Sequence, residues 1–301
     1  MLSVSPAKRK GEPVKKEKAS AVRQNPTKLF LKKFMRRKMA IFSACFILLL
    51  ILVAFLAPFV EPFNPSLPDY NNMFAPPSFQ HLCGTDEYGR DVFSRLLAGS
   101  RSSLWVSLSS VTLGATVGAI LGLLAGYYGG WIDRLVMRTC DVLFAFPDLL
   151  LAIAIVAVIG PGLSNVVIAV AVFSVPSFAR IMRSSTLSVK EALFVEVSRS
   201  LGCSNASLMW KHIFPGTVAS IIVNFTMRIG TAILAAASLS FLGFGAKTTE
   251  SDWGAMLSTG RNYLGTAPHI VYFSGGIIFL TVLAFNLFGD GLRDALDPKI
   301  Q

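Results

Sequence analysis

Residues 189–216 read VKEALFVEVSRSLGCSNASLMWKHIFPG, a polar island between two long apolar runs, 152–178 before it and 217–244 after it. The island carries Lys190, Glu191, Glu196, Arg199 and Lys211. Leu193, Val197 and Leu201, with Phe194 and Val195 beside them, recur at helical spacing and predict a short helix with an apolar stripe along one side. Gly202 stops that helix. Ser204 or Asn205 can cap a second one, whose apolar side is Leu208, Met209 and Ile213. Pro215 marks the start of the next apolar run. So many charges cannot lie in hydrocarbon. The helix–glycine–helix therefore lies at a membrane surface and docks on something.

Composition places the rest of the chain around this island. Of 301 residues, 53% are hydrophobic and 15% charged, and mean hydropathy is +0.58; a soluble domain averages about 25% charged. The chain reads as an all-α integral membrane protein. Its net charge of +11 is concentrated: 13 of the 28 Lys and Arg fall in residues 1–38, opposed only by Glu12 and Glu17. Beside a membrane span such a basic tail meets anionic membrane lipid rather than nucleic acid, and marks the inner face. Cys45, Cys83, Cys140 and Cys203 form no CxxC pair, so neither a disulfide framework nor a zinc site follows. His81, His212 and His269 are far apart and read as lone interfacial histidines. No metal or cofactor is expected.

Run 39–59 is about 20 apolar residues, enough to cross ~30 Å of hydrocarbon at ~1.5 Å per residue. It exceeds the ~7–15 residues of a signal-peptide core and reads as an uncleaved anchor. Five further spans are predicted at 104–126, 135–159, 166–181, 218–241 and 269–288. Residues 60–103 form a proline-broken extracytoplasmic segment, in which Asp86 can cap a short helix carrying Val92, Phe93, Leu96 and Leu97, flat on the outer interface. Gly114, Gly118, Gly122 and Gly126 make a bare stripe on the second span, where another backbone can approach. Trp131 reads as an aromatic anchor. Residues 245–268 are a second polar outer segment. In the tail, 290–301, Asp290, Arg293, Asp294 and Asp297 read as a capped, ion-paired helix. With the amino end inside, inner segments hold 22 Lys and Arg, outer segments 5, and Arg228 lies in a span. Both termini and the loop 184–216 of the 104–289 core then face the cytoplasm.

Glu196-Val197-Ser198, three residues, Gly202, nine residues and His212-Ile213-Phe214-Pro215 together resemble the "EAA" loop of ABC-importer permeases. Glu196, Gly202 and Pro215 match that pattern; Val197 and Ser198 stand where small residues, usually alanines, are found, and His212 where isoleucine is usual. Residues 84–104, 238–257 and 283–299 are similar to the dipeptide/oligopeptide/nickel group of these permeases, and 127–154 with 226–245 look most like its glutathione-type members. The resemblance implies six transmembrane helices in the type I permease fold of ABC importers, in a bacterial cytoplasmic membrane. It implies that Glu196, Val197, Ser198, Gly202 and Pro215 couple the chain to a cleft in an ATP-binding subunit. The implied partners are a second homologous permease, two ATP-binding subunits and an extracytoplasmic solute-binding protein. The implied cargo is a di- or oligopeptide or a peptide-like solute such as glutathione, with nickel transport as the alternative.

No catalytic constellation accompanies this loop. HExxH and GxSxG are absent, and the string from Gly243 to Thr248 lacks the glycine that a phosphate-cradling loop places before its lysine. ATP hydrolysis is expected on partner subunits. A proton-coupled secondary carrier is the rival class, but no internal repeat is evident. Arg228 is the one charge deep in a span, where it costs about 2.5–3.5 kcal/mol on insertion scales and so must face protein or water. It reads as a contact for an anionic or carboxylate-bearing substrate on the transport path. A structural pair with Asp141 or Asp148 is the other reading.

Overall fold

The computed structural model describes residues 33–246 and 250–296. Most of the basic tail 1–38, and Asp297 of the expected tail helix, lie outside the described residues. Among the described residues the chain is helical, with one isolated β-bridge between Thr85 and Asp91. Helix α1, Lys38–Val60, is the predicted anchor. Helix α2, Val92–Tyr128, corrects the expectation of a flat helix followed by a span: it is one unbroken helix of 37 residues. No proline interrupts 92–128, and helix formation propagates through its small residues once begun. Its cap is Asp91, whose Oδ2 accepts from the Ser94 backbone N at 2.7 Å, and not Asp86.

The third span also departs from expectation. It starts earlier and divides into α3, Gly130–Phe144, and α4, Asp148–Ile159, bent 92° apart. Pro147 sits at the break, and a proline disfavours helical geometry in the residue before it. Helix α5, Leu163–Lys190, runs beyond its predicted end to carry Arg180, Arg183 and Lys190 on one continuous rod. Helix α6, Leu193–Ser200, lies in the polar island. A turn of helix at Asn205–Ser207 and a π-helix at Leu208–Ile213 lead directly into α7, Phe214–Phe241. Helix α8, Trp253–Gly260, and α9, His269–Leu296, complete the chain. The last helix thus absorbs the first part of the expected tail, and Asp294 pairs with Arg37 ahead of α1 at 2.7 Å. Among the described residues five helices are long and apolar enough to cross a membrane, and the bent pair makes a sixth if counted as one span.

The core rests on the contact between α2 and α5. A Cβ on Gly118 would come 2.6 Å from the Val175 carbonyl, and one on Gly126 would come 2.8 Å from the Thr186 Cβ. Gly114 and Gly122 meet α5 in the same way at Ser174 and Ala179. The stripe read from the sequence is therefore the groove into which α5 settles. Helix α7 closes this pair with Ile229, Ala232, Ile233, Ala236 and Leu239, all buried, and α9 adds Ala284 and Phe285. Hydroxyls inside the helices satisfy themselves locally: Ser107, Ser110, Ser174 and Thr281 each donate to the carbonyl four residues earlier.

Candidate functional site

The first helix of the polar island and its glycine stop form where the residues predict, while the expected second helix is a short turn and a π-helix continuous with α7. Val195 on α6 is fully buried in a cluster with Leu123, Tyr127, Met182, Leu208, Met209 and Ile213. That single side chain anchors the helix. The predicted apolar stripe faces the other way: Leu193 is 74% and Leu201 80% exposed, and Phe194 and Val197 are about half exposed. Glu196 is exposed in the first turn of α6, and Ser198 donates to the Phe194 carbonyl at 2.8 Å. Gly202 has φ +83°, the left-handed conformation that ends a helix. Its N–H donates to the Arg199 carbonyl at 3.0 Å, and the Cys203 N–H to Ser198 at 3.2 Å, the paired bonds of a Schellman stop. Ser204, the first of the two candidate caps, accepts from the Ser207 N at 3.4 Å. Pro215 occupies the first turn of α7 and is exposed.

The loop is tied to the bundle by two polar contacts. The Tyr127 hydroxyl donates to Asn205 Oδ1 at 2.7 Å, and Lys190 Nζ donates to the Tyr127 carbonyl at 2.6 Å. The end of α2, the end of α5 and the helical turn at Asn205–Ser207 are thereby clamped together. Helix α6 lies between the two clamped positions, Lys190 before it and Asn205 after it.

Arg228 lies in the middle of α7, 17% exposed, with Nη1 3.7 Å from Oδ2 of Asp148. Of the two acids named from the sequence, Asp148 is its neighbour; Asp141 is taken by Arg180 at 2.7 Å. The structure thus brings Arg228 to the bend between α3 and α4 and keeps it far along the chain from α6.

A third polar cluster was only partly legible. The Asp86 carboxylate is buried. It accepts from the Tyr88 and Arg90 backbone N–H groups and from Arg90 Nε at 2.7 Å, and it pairs with Arg95 on α2. His81, read as a lone histidine, lies 2.9 Å from Asp91 Oδ1 and stacks on Phe63. His269, read the same way, contacts the Thr85 carbonyl at 2.9 Å from the start of α9. Burial pushes the neighbouring Cys83 thiol up to about 11, with Asp91 adding to the effect. Burial, then the Asp86 charge, raises the Glu87 carboxyl. This clasp fixes residues 61–91 to the far ends of α2 and α9. The Asp86–Arg90 spacing of four was a visible signal for it; the partners on α2 and α9 were not.

Known proteins resemble this chain in family and in fold. Residues 118–301 match the family described as "Binding-protein-dependent transport system inner membrane component", and residues 25–77 match "N-terminal TM domain of oligopeptide transport permease C". The glutathione transport system permease proteins GsiD of Escherichia coli O157:H7 and of Shigella sonnei (strain Ss046) are each 59% identical over 233 residues, 77% of either chain. Among solved structures, an inward-facing MetNI methionine ABC transporter superposes with TM-score 0.56 at 18% identity, covering 67% of this chain and 97% of its own. An amino acid ABC transporter gives 0.52 at 19%, covering 66% and 92%. At such identities the structural likeness speaks for the fold alone: an all-α permease fold of ABC importers.

Proposed function

We propose, since this chain belongs to the family of inner-membrane components of binding-protein-dependent transport systems, that it is the permease subunit of an importer for a peptide-like solute of the glutathione kind. The observation that carries the reading is α6: a helix seated by one buried valine, ended by Gly202, with Leu193, Val197 and Leu201 exposed beside Glu196. An apolar stripe of this kind is an interface in waiting. Its partner in this reading is an ATP-binding subunit, which hydrolyses ATP while the permease moves. The assembly has a second homologous permease, two ATP-binding subunits and an extracytoplasmic solute-binding protein. The Lys/Arg asymmetry supports an orientation with α6 and both termini in the cytoplasm. The 104–289 core carries the path, and residues 60–103 with 245–268 face the binding protein.

Within the path, Arg228 is the contact for substrate carboxylate. Glutathione carries two carboxylates and one amine, so a guanidinium at mid-bundle suits its net negative charge. The 59% identity with the GsiD proteins favours this cargo over a nickel complex. The complete complex in proteoliposomes, with binding protein and ATP supplied, tests the reading. Radiolabelled glutathione should accumulate, a zwitterionic dipeptide should compete weakly, and Val197→Cys should crosslink to the ATP-binding subunit. Uptake of nickel in place of glutathione would overturn the cargo; absence of the crosslink would overturn the coupling.

A further inference from the structure

Helix α3 turns 92° from α4 and packs against α2 and α5. At about 100° per residue its side chains sort onto distinct faces. Cys140 is buried against the bundle. Trp131, Leu135 and Val142 share another face and are all well exposed. Between α3 and α5, to one side of that stripe, opens a cavity of ≈ 500 Å³, lined by Arg134, Arg138, Arg180, Arg183, Asp133 and Asp141 with Met137.

The charges in this cavity do not balance. Asp133 is engaged by Arg183, with one bond at 2.6 Å, and Asp141 by Arg180. Arg134 donates through Nε to the Gly130 carbonyl at 3.3 Å and has no carboxylate partner among the described residues. Arg138 has no ion pair or hydrogen bond among the described residues. Four guanidiniums against two committed carboxylates leave two positive charges around an open space.

An exposed helix bent sharply away from the one that follows it, with an apolar stripe beside arginines, has the form of an interfacial helix at the headgroup boundary. Guanidinium forks match phosphate oxygens in pairs, which carboxylates of the same chain are not left to do here. A free phosphate would use the arginines but not the stripe. A phospholipid uses both: its phosphate meets Arg134 and Arg138, and its acyl chains lie along Trp131, Leu135 and Val142. We infer that α3 and this cavity form a binding site for the headgroup of an anionic phospholipid. Because Arg183 and Lys190 share α5, and Lys190 clamps the α6 loop through the Tyr127 carbonyl, the lipid sits on the same rod that supports the coupling helix.

The test uses the whole importer complex in mild detergent, given phosphatidylglycerol or phosphatidylcholine, with retained lipid read by native mass spectrometry. The wild type should keep phosphatidylglycerol preferentially. An arginine near an anionic surface contributes about fivefold, so Arg138→Gln should lower that preference about fivefold. It removes no partner from another group, so assembly should be unchanged. Arg134→Gln with Arg138→Gln should bring retention near the phosphatidylcholine level, and the paired Lys variants should keep most of it. Equal phosphatidylglycerol retention by wild type and Arg138→Gln would overturn the site. So would displacement of the lipid by millimolar inorganic phosphate, which marks a soluble-anion site, or a Leu135→Cys crosslink to the second permease, which marks a protein-covered face.

Discussion

Arg228 on α7 holds its guanidinium 3.7 Å from the carboxylate of Asp148, the first residue of α4. The pair is loose, beyond hydrogen-bond length, and Asp148 is half exposed while Arg228 is mostly covered. A pair so open contributes at most about 1 kcal/mol, so stability alone is a weak reason for an arginine in mid-span. The arrangement suits exchange: a substrate carboxylate can take the place of Asp148 on the guanidinium.

Substitution at the two positions separates exchange from support. Arg228→Met should abolish glutathione uptake while the complex assembles at normal yield, because Asp148 stays hydrated. Arg228→Lys should retain part of the activity, keeping charge but losing the planar fork. Asp148→Asn frees the guanidinium and should lower the KM for a carboxylate-bearing substrate. Normal uptake by Arg228→Met would take Arg228 off the path; lost assembly, restored by adding Asp148→Asn, would make the pair structural.

The proposed coupling surface can be damaged without damaging the fold. A Cβ at Gly202 meets nothing within 4 Å, so Gly202→Val costs only its backbone strain at φ +83°, about 1–3 kcal/mol. Leu193→Asp places a charge on a side chain that is already exposed, and the isolated subunit should be as stable as before. Both should insert in the membrane, yet co-purify poorly with the ATP-binding subunit and lose substrate-stimulated ATP hydrolysis. A normal stimulated rate in both variants would remove α6 from coupling.

Much of this was written locally in the sequence. The stop at Gly202, a cap at Ser204 or Asn205, the anchor over residues 39–59 and the glycine stripe depend on spacing within one or two turns, and spacing is visible. The bend at Pro147 was not read, because an apolar run of 25 residues is long enough to hide a break whose cause is three-dimensional. The direction of the α6 stripe was also hidden: helical spacing says that Leu193, Val197 and Leu201 share a face, while the burial of Val195 instead follows from Leu208 and Ile213 folding back on Leu123. Asp86 looked like a cap because Arg95, which occupies it, is nine residues away and on another element.

The close approach of α2 to α5 carries a sharper consequence. A methyl on Gly122 would meet the Ala179 carbonyl and come 2.8 Å from the Met182 Cβ, both on a packed helix that has no room to retreat. Gly122→Ala should cost about 1–3 kcal/mol as overpacking and lower the thermal midpoint of the detergent-solubilised subunit. Gly276→Ala on α9 meets nothing within 4 Å and should be neutral or slightly stabilising through helix propensity. Equal midpoints for the two variants would mean that α2 and α5 are not in this contact.

Asp252 caps α8 from a buried position, accepting from the Ala255 N at 2.9 Å. Burial raises its carboxyl above the usual range, more than the bonds from Ala255, Ser240 and Gly254 lower it, and Glu250 adds to the rise. The folded state therefore binds the proton more tightly than the unfolded chain. Stability from this group is full below the ordinary carboxylate range near pH 4 and is lost as pH rises through the raised value. Asp252→Asn keeps an acceptor for the α8 cap and removes the titration. The wild type should gain thermal stability as pH falls from 8 toward 5, and the variant should gain less over the same range while being the more stable of the two at pH 8. Parallel pH profiles for the two proteins would show that Asp252 titrates alike in the folded and unfolded chain.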